Sequence, residues 1–222
     1  MSIKLNDKQL RQHVMDELDF EPSIDSADVG VAVENGVVTL SGHVPSYAQK
    51  LSAERAVWRV IGVKAIAQEI QVRVPGDKKN NDDEIALRAV SMLAWNGSVP
   101  RDCVQVKVQN GLVTLTGQVS WNYQRVAAEA AVRKLSAVVG VVNHIALAAT
   151  TVVQPVEVKQ RIMDALKRHA EVEAAQIKVS VAESGVVSLE GDVDNWDERD
   201  AVERAAWCVP GVRAVEDHLR IG

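Results

Sequence analysis

The chain has 222 residues, of which 47% are apolar but only 4% aromatic, and its net charge is −5. Cores can form on that composition, resting on Val, Ala, Leu and Ile, but the charge balance gives no strongly basic surface of the kind nucleic-acid binding calls for. Lys4, Asp7 and Lys8 interrupt the start before an apolar run of signal-peptide length can form, and no stretch reaches the roughly 18 apolar residues of a membrane-spanning helix. The expectation is a cytoplasmic protein, peripheral to a membrane at most.

In chain order, the first predicted helix carries Leu10, Val14 and Leu18 at a four-residue spacing, which stacks them on one face. A strand follows in which Val29, Val31 and Val33 alternate with small or polar residues, so one face is buried. Asn35-Gly36 tolerates positive φ at both positions and signals a tight hairpin. The returning strand points Val38, Leu40 and Val44 inward, and Gly42 within it predicts a bulge or a close approach of the next helix. That helix buries Ala53, Ala56, Val57 and Val60, an amphipathic stripe of small residues that lets it lie close to the sheet. A turn at Gly62-Val63 leads to a last strand with Ile66, Ile70 and Val72.

This series occurs three times. Val33-Glu34-Asn35-Gly36-Val37-Val38-Thr39-Leu40-Ser41-Gly42 returns as Val108-Gln109-Asn110-Gly111-Leu112-Val113-Thr114-Leu115-Thr116-Gly117. It returns less closely as Val181-Ala182-Glu183-Ser184-Gly185-Val186-Val187-Ser188-Leu189-Glu190-Gly191. The third copy carries one extra residue in its turn, which predicts a three-residue loop there. The apolar positions return as well, with Ile85, Ala89 and Leu93, then Val158, Ile162 and Leu166, on the first helix. Ala128, Ala131, Val132 and Leu135, then Val202, Ala205, Ala206 and Val209, occupy the second. The chain therefore reads as α+β, in three tandem modules at 1–76, 77–152 and 153–222, each helix-strand-strand-helix-strand. The polar stretch Pro75–Asp82 reads as a flexible linker.

The paired-glycine strand motif, the alanine-rich helix and the Gly-Val turn resemble the BON-domain family, named for bacterial osmotic-shock-induced and nodulation proteins. The resemblance covers nearly the whole chain in three copies, and Ala137 departs from it where the other turns have Gly62 and Gly211. It implies a small mixed three-stranded sheet covered by two helices on one face. It also implies a role in osmotic or envelope stress, with phospholipid membranes the usual proposed ligand. Some members are secretin, channel or lipoprotein components, and one cytoplasmic relative binds potassium. Many carry a signal peptide, which this sequence does not show.

No Ser-His-Asp, Cys-His or phosphate-loop pattern appears, so no catalytic residue is assigned and no enzyme is expected. His13, His43, His144, His169 and His218 do not cluster with other ligands, and no metal or cofactor is expected. Cys103 and Cys208 occupy non-equivalent positions and read as reduced, partly buried thiols. The acidic run Asp192–Asp200 lacks the glycine and closing glutamate of a calcium loop and reads as helix capping by Asp194 or Asn195. Glu54, Glu129 and Glu203 share one helix position and read as solvated or paired. Tyr47, Trp121, Tyr123 and Trp196 gather at the entrance of the second helix, while Trp58 with Trp207, and Phe20 with Trp95, recur at equivalent sites, as packing residues would.

Charge separates the copies. The first has 8 basic and 10 acidic side chains, the middle one 8 and 6, the third 9 and 14. Only the middle copy is net positive, so an anionic surface should meet it there. Its candidate lipid-binding residues are Lys78, Lys79 and Arg88 at or near the first helix, and Trp121, Tyr123 and Arg125 at the second. The expected function is a non-enzymatic, stress-associated binding module that recognises anionic phospholipid or a membrane-associated partner. Two alternatives stay open: a sensor of potassium or another small ion held by backbone carbonyls, and a scaffold assembling through sheet edges. A thermal melt in potassium against sodium chloride at equal ionic strength tests the first of these, because a selectively bound ion stabilises the folded state.

Overall fold

The computed structural model describes residues 6–73, 82–148, 154–168 and 176–221. By compactness the chain falls into two units, 1–116 with 127–144, and 117–126 with 145–222. Three times over, the described chain runs helix-strand-strand-helix-strand. The first repeat has α1 (Asp7–Phe20), β1 (Val29–Glu34), β2 (Val37–Val44), α2 (Tyr47–Trp58) and a last strand in two pieces, β3 (Ala65–Gln68) and β4 (Gln71–Val72). The second has α3 (Asp82–Trp95), β5 (Val104–Gln109), β6 (Leu112–Val119), α4 (Asn122–Val132) and β7 (Gly140–Leu147). The third has α5 (Pro155–Leu166), β8 (Ile177–Val181), β9 (Val186–Val193), α6 (Trp196–Trp207) and β10 (Ala214–Ile221).

Each sheet is mixed, as the resemblance implies. The hairpin pairs antiparallel, Val31 opposite Leu40 and Val179 opposite Leu189. The strand returning from the second helix lies parallel on the other side of the central strand, Val38 opposite Ile66 and Val187 opposite Val215. Strand order is β1-β2-β3, β5-β6-β7 and β10-β9-β8. Both helices of a repeat share one face of its sheet. Leu10, Val14 and Leu18 of α1 meet Val38, Leu40 and Val44 of β2 and Ala53, Ala56 and Val57 of α2 in a single core. Ile162, Leu166, Leu189, Val202 and Ala206 do the same in the third repeat.

The turns follow their sequences. Asn35 and Gly36 have φ of 54° and 82°, and Asn110 and Gly111 have 51° and 76°, the paired positive values of a two-residue turn whose twist suits a hairpin. In the third repeat the Gly185 N–H donates to Ala182 and the Ala182 N–H to Val186, closing the longer loop on itself. The glycine inside the central strand serves a purpose the sequence left ambiguous. A Cβ on Gly42 would lie 2.0 Å from the carbonyl oxygen of Asp28, and one on Gly191 would lie 2.2 Å from that of Gln176. The close approach is therefore that of the backbone leading into the first strand, not of the helix that follows the glycine.

The last strand of the first repeat, expected to be continuous, breaks at Glu69-Ile70. The Ile70 N–H turns to the Gln68 side chain at 3.2 Å instead of to a neighbouring strand. Ala137 adopts φ 68° where its counterparts Gly62 and Gly211 have 99° and 92°, so the turn forms with the backbone strained at a residue carrying Cβ. Ala137→Gly is expected to stabilise the protein by about 1 kcal/mol, the relief of left-handed strain less the added freedom of the unfolded chain. A raised urea midpoint at unchanged slope would bear this out, and a lowered one would refute it.

Candidate functional site

Most polar groups that could suggest chemistry are engaged in holding the fold. Asn195 is the N-cap of α6 and accepts the Glu198 N–H at 2.8 Å, while the buried Glu198 carboxylate accepts the Asp194 N–H at 2.7 Å. This reciprocal cap, with the Arg199–Asp217 pair at 2.6 Å, accounts for much of the acidic run as a helix start. Glu129 accepts from Asn143 at 3.1 Å, tying α4 to β7, whereas Glu203 accepts the Trp207 indole N–H at 3.1 Å one turn on along α6 itself. Among the described residues no three His, Cys, Asp or Glu side chains converge as a metal site would require. His43 lies 3.4 Å from Asp28, and His13, His144 and His218 are exposed; His169 lies outside the described residues. Cys103 is half-buried, but Cys208 is exposed, contrary to the expectation of two partly buried thiols.

The six candidate lipid-binding residues are spread over several parts of the chain. Lys78 and Lys79 lie outside the described residues. Arg88 belongs to the first compact unit, whereas Trp121, Tyr123 and Arg125 belong to the second. The Arg88 guanidinium donates to Glu84 at 2.7 Å and to the Ser136 hydroxyl at 3.0 Å. Arg125 lies 4.9 Å above the ring of Trp207, where its charge faces an aromatic quadrupole. Trp121 and Tyr123 are exposed at the entrance of α4, where Gln124 accepts the Trp121 N–H at 3.1 Å. The other entrance aromatics are engaged. Trp196 lies under Arg199 at 4.8 Å. Tyr47 is half-buried with its hydroxyl at the N–H of Val141, and burial pushes its phenol above the usual range.

The recurring aromatics divide. Trp58 and Trp207 pack against their cores as expected. Phe20 and Trp95 do not, being 82% and 86% exposed. Each sits two residues beyond the last buried position of its helix, Leu18 or Leu93, and two residues turn a side chain about 200° away from the core.

The outward face of α3 is the feature sequence reasoning missed. On α1 and α5, at equivalent positions of that face, a glutamine donates to an aspartate one turn on, Gln12 to Asp16 at 2.8 Å and Gln160 to Asp164 at 2.9 Å, although α1 also exposes Phe20 at the position of Trp95. On α3 the same two positions hold Leu87 and Ser91. Leu87 is 73% exposed and Val90 56%, with Ala94 and Trp95 continuing the face. Of the three first-turn carboxylates of α3, Asp82 is engaged by the Asn110-Gly111 hairpin, at 2.8 and 2.9 Å, and Glu84 by Arg88, while Asp83 is exposed. The signal was present in the sequence as an apolar residue opposite the core stripe of one repeat and a polar one in the others.

"Osmotically-inducible protein Y" of Escherichia coli (strain K12) is 29% identical over 145 residues, covering 64% of this chain and 72% of the relative. Among solved structures, CdsD, a structural protein of the type III secretion system of Chlamydia trachomatis, aligns over 95% of this chain and 91% of its own at 15% identity, with a TM-score of 0.28. The CdsD C-terminal domain aligns over 98% and 100% at 16% identity, with a TM-score of 0.27. The BON domain pattern matches residues 6–74, 81–149 and 156–222, and the chain belongs to that family in three tandem copies.

Proposed function

We propose that the protein is a non-enzymatic, stress-associated binding module whose middle repeat recognises an anionic phospholipid surface. The observation that carries this reading is that net positive charge and exposed amphipathic rings coincide in one repeat. Only residues 77–152 carry more basic than acidic side chains, and Trp95, Trp121 and Tyr123 are all exposed there. Such rings favour the boundary between headgroups and acyl chains, and each basic side chain near an anionic surface contributes on the order of 1 kcal/mol. The relation to an osmotically inducible protein supports the stress setting. Among the described residues no helix is long and apolar enough to cross a membrane, so binding would be peripheral. Assembly through sheet edges has less support, because Ile70, at the break in one last strand, and Leu219, on another, give their N–H groups to the side chains of Gln68 and Asp217.

Flotation of the full chain with phosphatidylglycerol-containing and phosphatidylcholine-only vesicles at low salt tests the reading. Co-flotation with the anionic vesicles that weakens as salt rises is expected. Absence from both fractions would end it. Reversing Lys78, Lys79 and Arg88 to glutamate is expected to weaken binding more than an equal reversal of Lys159, Lys167 and Arg168 in the third repeat.

A further inference from the structure

We propose that Asn96 is a site of spontaneous covalent modification, losing its side-chain amide to the backbone nitrogen that follows it, and that Asp7 and Asp82 keep the chain's other two Asn-Gly pairs from the same reaction. Asparagine followed by glycine occurs at Asn35-Gly36, Asn96-Gly97 and Asn110-Gly111. Glycine hinders an attacking nitrogen least, because it carries no side chain. What differs among the three pairs is the state of that nitrogen. The Gly36 N–H donates to Asp7 at 3.1 Å and the Gly111 N–H to Asp82 at 2.9 Å. A carboxylate there holds the proton on the nitrogen, since its bond is made to the protonated form and its charge opposes an amide anion. The Gly97 N–H has no acceptor among the described residues, and Gly97 is exposed.

Asn96 directly follows α3, and its Oδ1 accepts the Ser98 N–H at 3.0 Å. That bond folds the side chain back over the Gly97 peptide unit. It polarises the carbonyl under attack and strengthens as the oxygen gains charge. Hydroxide takes the Gly97 amide proton, the nitrogen bonds to Cγ, and the Cγ–Nδ2 bond breaks, releasing ammonia that takes its proton from water. Water then opens the cyclic imide. Opening at Cγ gives aspartate, and opening at the main-chain carbonyl gives isoaspartate, so the net change is water in and ammonia out. Either product loosens the end of α3. The Asn96 Nδ2 donates to the Ala127 carbonyl of α4 at 3.5 Å, and a carboxylate in its place sets acceptor against acceptor. It also puts a negative charge at the C-terminal end of a helix, where the dipole disfavours it. Isoaspartate further lengthens the main chain between Leu93 and Val99, both buried.

The test holds the full chain in mildly alkaline buffer and follows the Asn35, Asn96 and Asn110 peptides over time by mass spectrometry, with aspartate and isoaspartate products separated by chromatography. Asn96 is expected to convert roughly tenfold faster than either of the others, a barrier difference of about 1.4 kcal/mol. Gly97→Ala, which has room for its methyl, is expected to keep the wild-type melting curve and to slow conversion at Asn96. Asp82→Ala is expected to raise the rate at Asn110 toward that at Asn96, with Asn35 unchanged. Both affected sites lie in the middle repeat, so their ratio within this one variant separates a freed amide from general loosening. Asn96→Asp, which installs one product directly, is expected to melt below the wild type. Equal conversion at the three sites, or slowest conversion at Asn96, would overturn the assignment. A ratio of Asn110 to Asn96 that Asp82→Ala leaves unchanged would overturn the guarding role, and Asn96→Asp melting with the wild type would overturn the loosening of α3.

Discussion

Gly42→Ala is expected to unfold the first repeat, at a cost above about 3 kcal/mol, while Gly97→Ala leaves stability within about 0.5 kcal/mol. A methyl on Gly42 would sit 2.0 Å from the Asp28 carbonyl oxygen and 3.1 Å from its carbon, and both are backbone atoms that no rotamer change can move aside. The residue also holds φ of +103°, a region that side chains rarely adopt, so strain adds to the clash. Relief would require β1 to separate from β2 at the Val29–Gly42 pair, where the first strand enters the sheet. Gly97 is the control, because a Cβ there meets nothing within 4 Å. Urea denaturation of both variants decides the matter. A midpoint for Gly42→Ala equal to that of Gly97→Ala would show that the strand entrance can yield, and that the glycine has no steric role.

This constraint was half legible in the sequence. The glycine recurs as Gly42, Gly117 and Gly191, so a structural demand at that position could be read, but not which atoms impose it. The opposing group is a main-chain carbonyl, Asp28 in one repeat and Gln176 in another, and a carbonyl has no residue type. Features set by local patterns were legible: the Asn-Gly hairpins, the four-residue spacing on α1, α3 and α5, and the alternation of β1 and β5. Phe20 and Trp95 were misread because recurrence was taken for burial. Position on the helix decides it, and both fall opposite the core stripe. The contacts of Arg88 with Ser136 and of Arg125 with Trp207 span 48 and 82 residues and could not be read from sequence, whereas the Arg88–Glu84 pair, one helical turn apart, could. The outward face of α3 went unread for a related reason: an exposed leucine is ordinary by itself, and only the comparison with Gln12 and Gln160 gives it meaning.

Asp82→Ala is expected to destabilise the middle repeat by about 2 kcal/mol, several times the effect of Asp83→Ala beside it. The Asp82 carboxylate accepts the N–H groups of Asn110 and Gly111 at 2.8 and 2.9 Å. Asp7 accepts those of Asn35 and Gly36 at 2.8 and 3.1 Å. One carboxylate at the start of a helix thus fixes a turn 28 residues downstream, joining a helix end to a hairpin whose two donors both point outward from the ladder. Bonds to a charged acceptor are stronger than neutral ones, and removing the acceptor leaves two amide donors of which the second is part-buried. Asp83 shares the first turn and the favourable helix dipole, worth about 0.3–1 kcal/mol, so it separates that general effect from the specific bonds. Asp82→Asn keeps a single accepting oxygen and is expected to cost about half as much as the alanine. The third repeat supplies a comparison within the chain. It has Pro155 where the others have Asp7 and Asp82, and its longer turn satisfies its own amides through Gly185 to Ala182 and Ala182 to Val186. The carboxylate therefore occurs with the two-residue turn and is absent with the self-closed one, as it must be if its role is to accept what the short turn leaves over. Hydrogen exchange at Asn110 and Gly111 gives the direct readout: both amides should exchange faster in Asp82→Ala but not in Asp83→Ala. Unchanged protection in Asp82→Ala, or an equal loss of stability in the two variants, would reduce Asp82 to an ordinary first-turn acid.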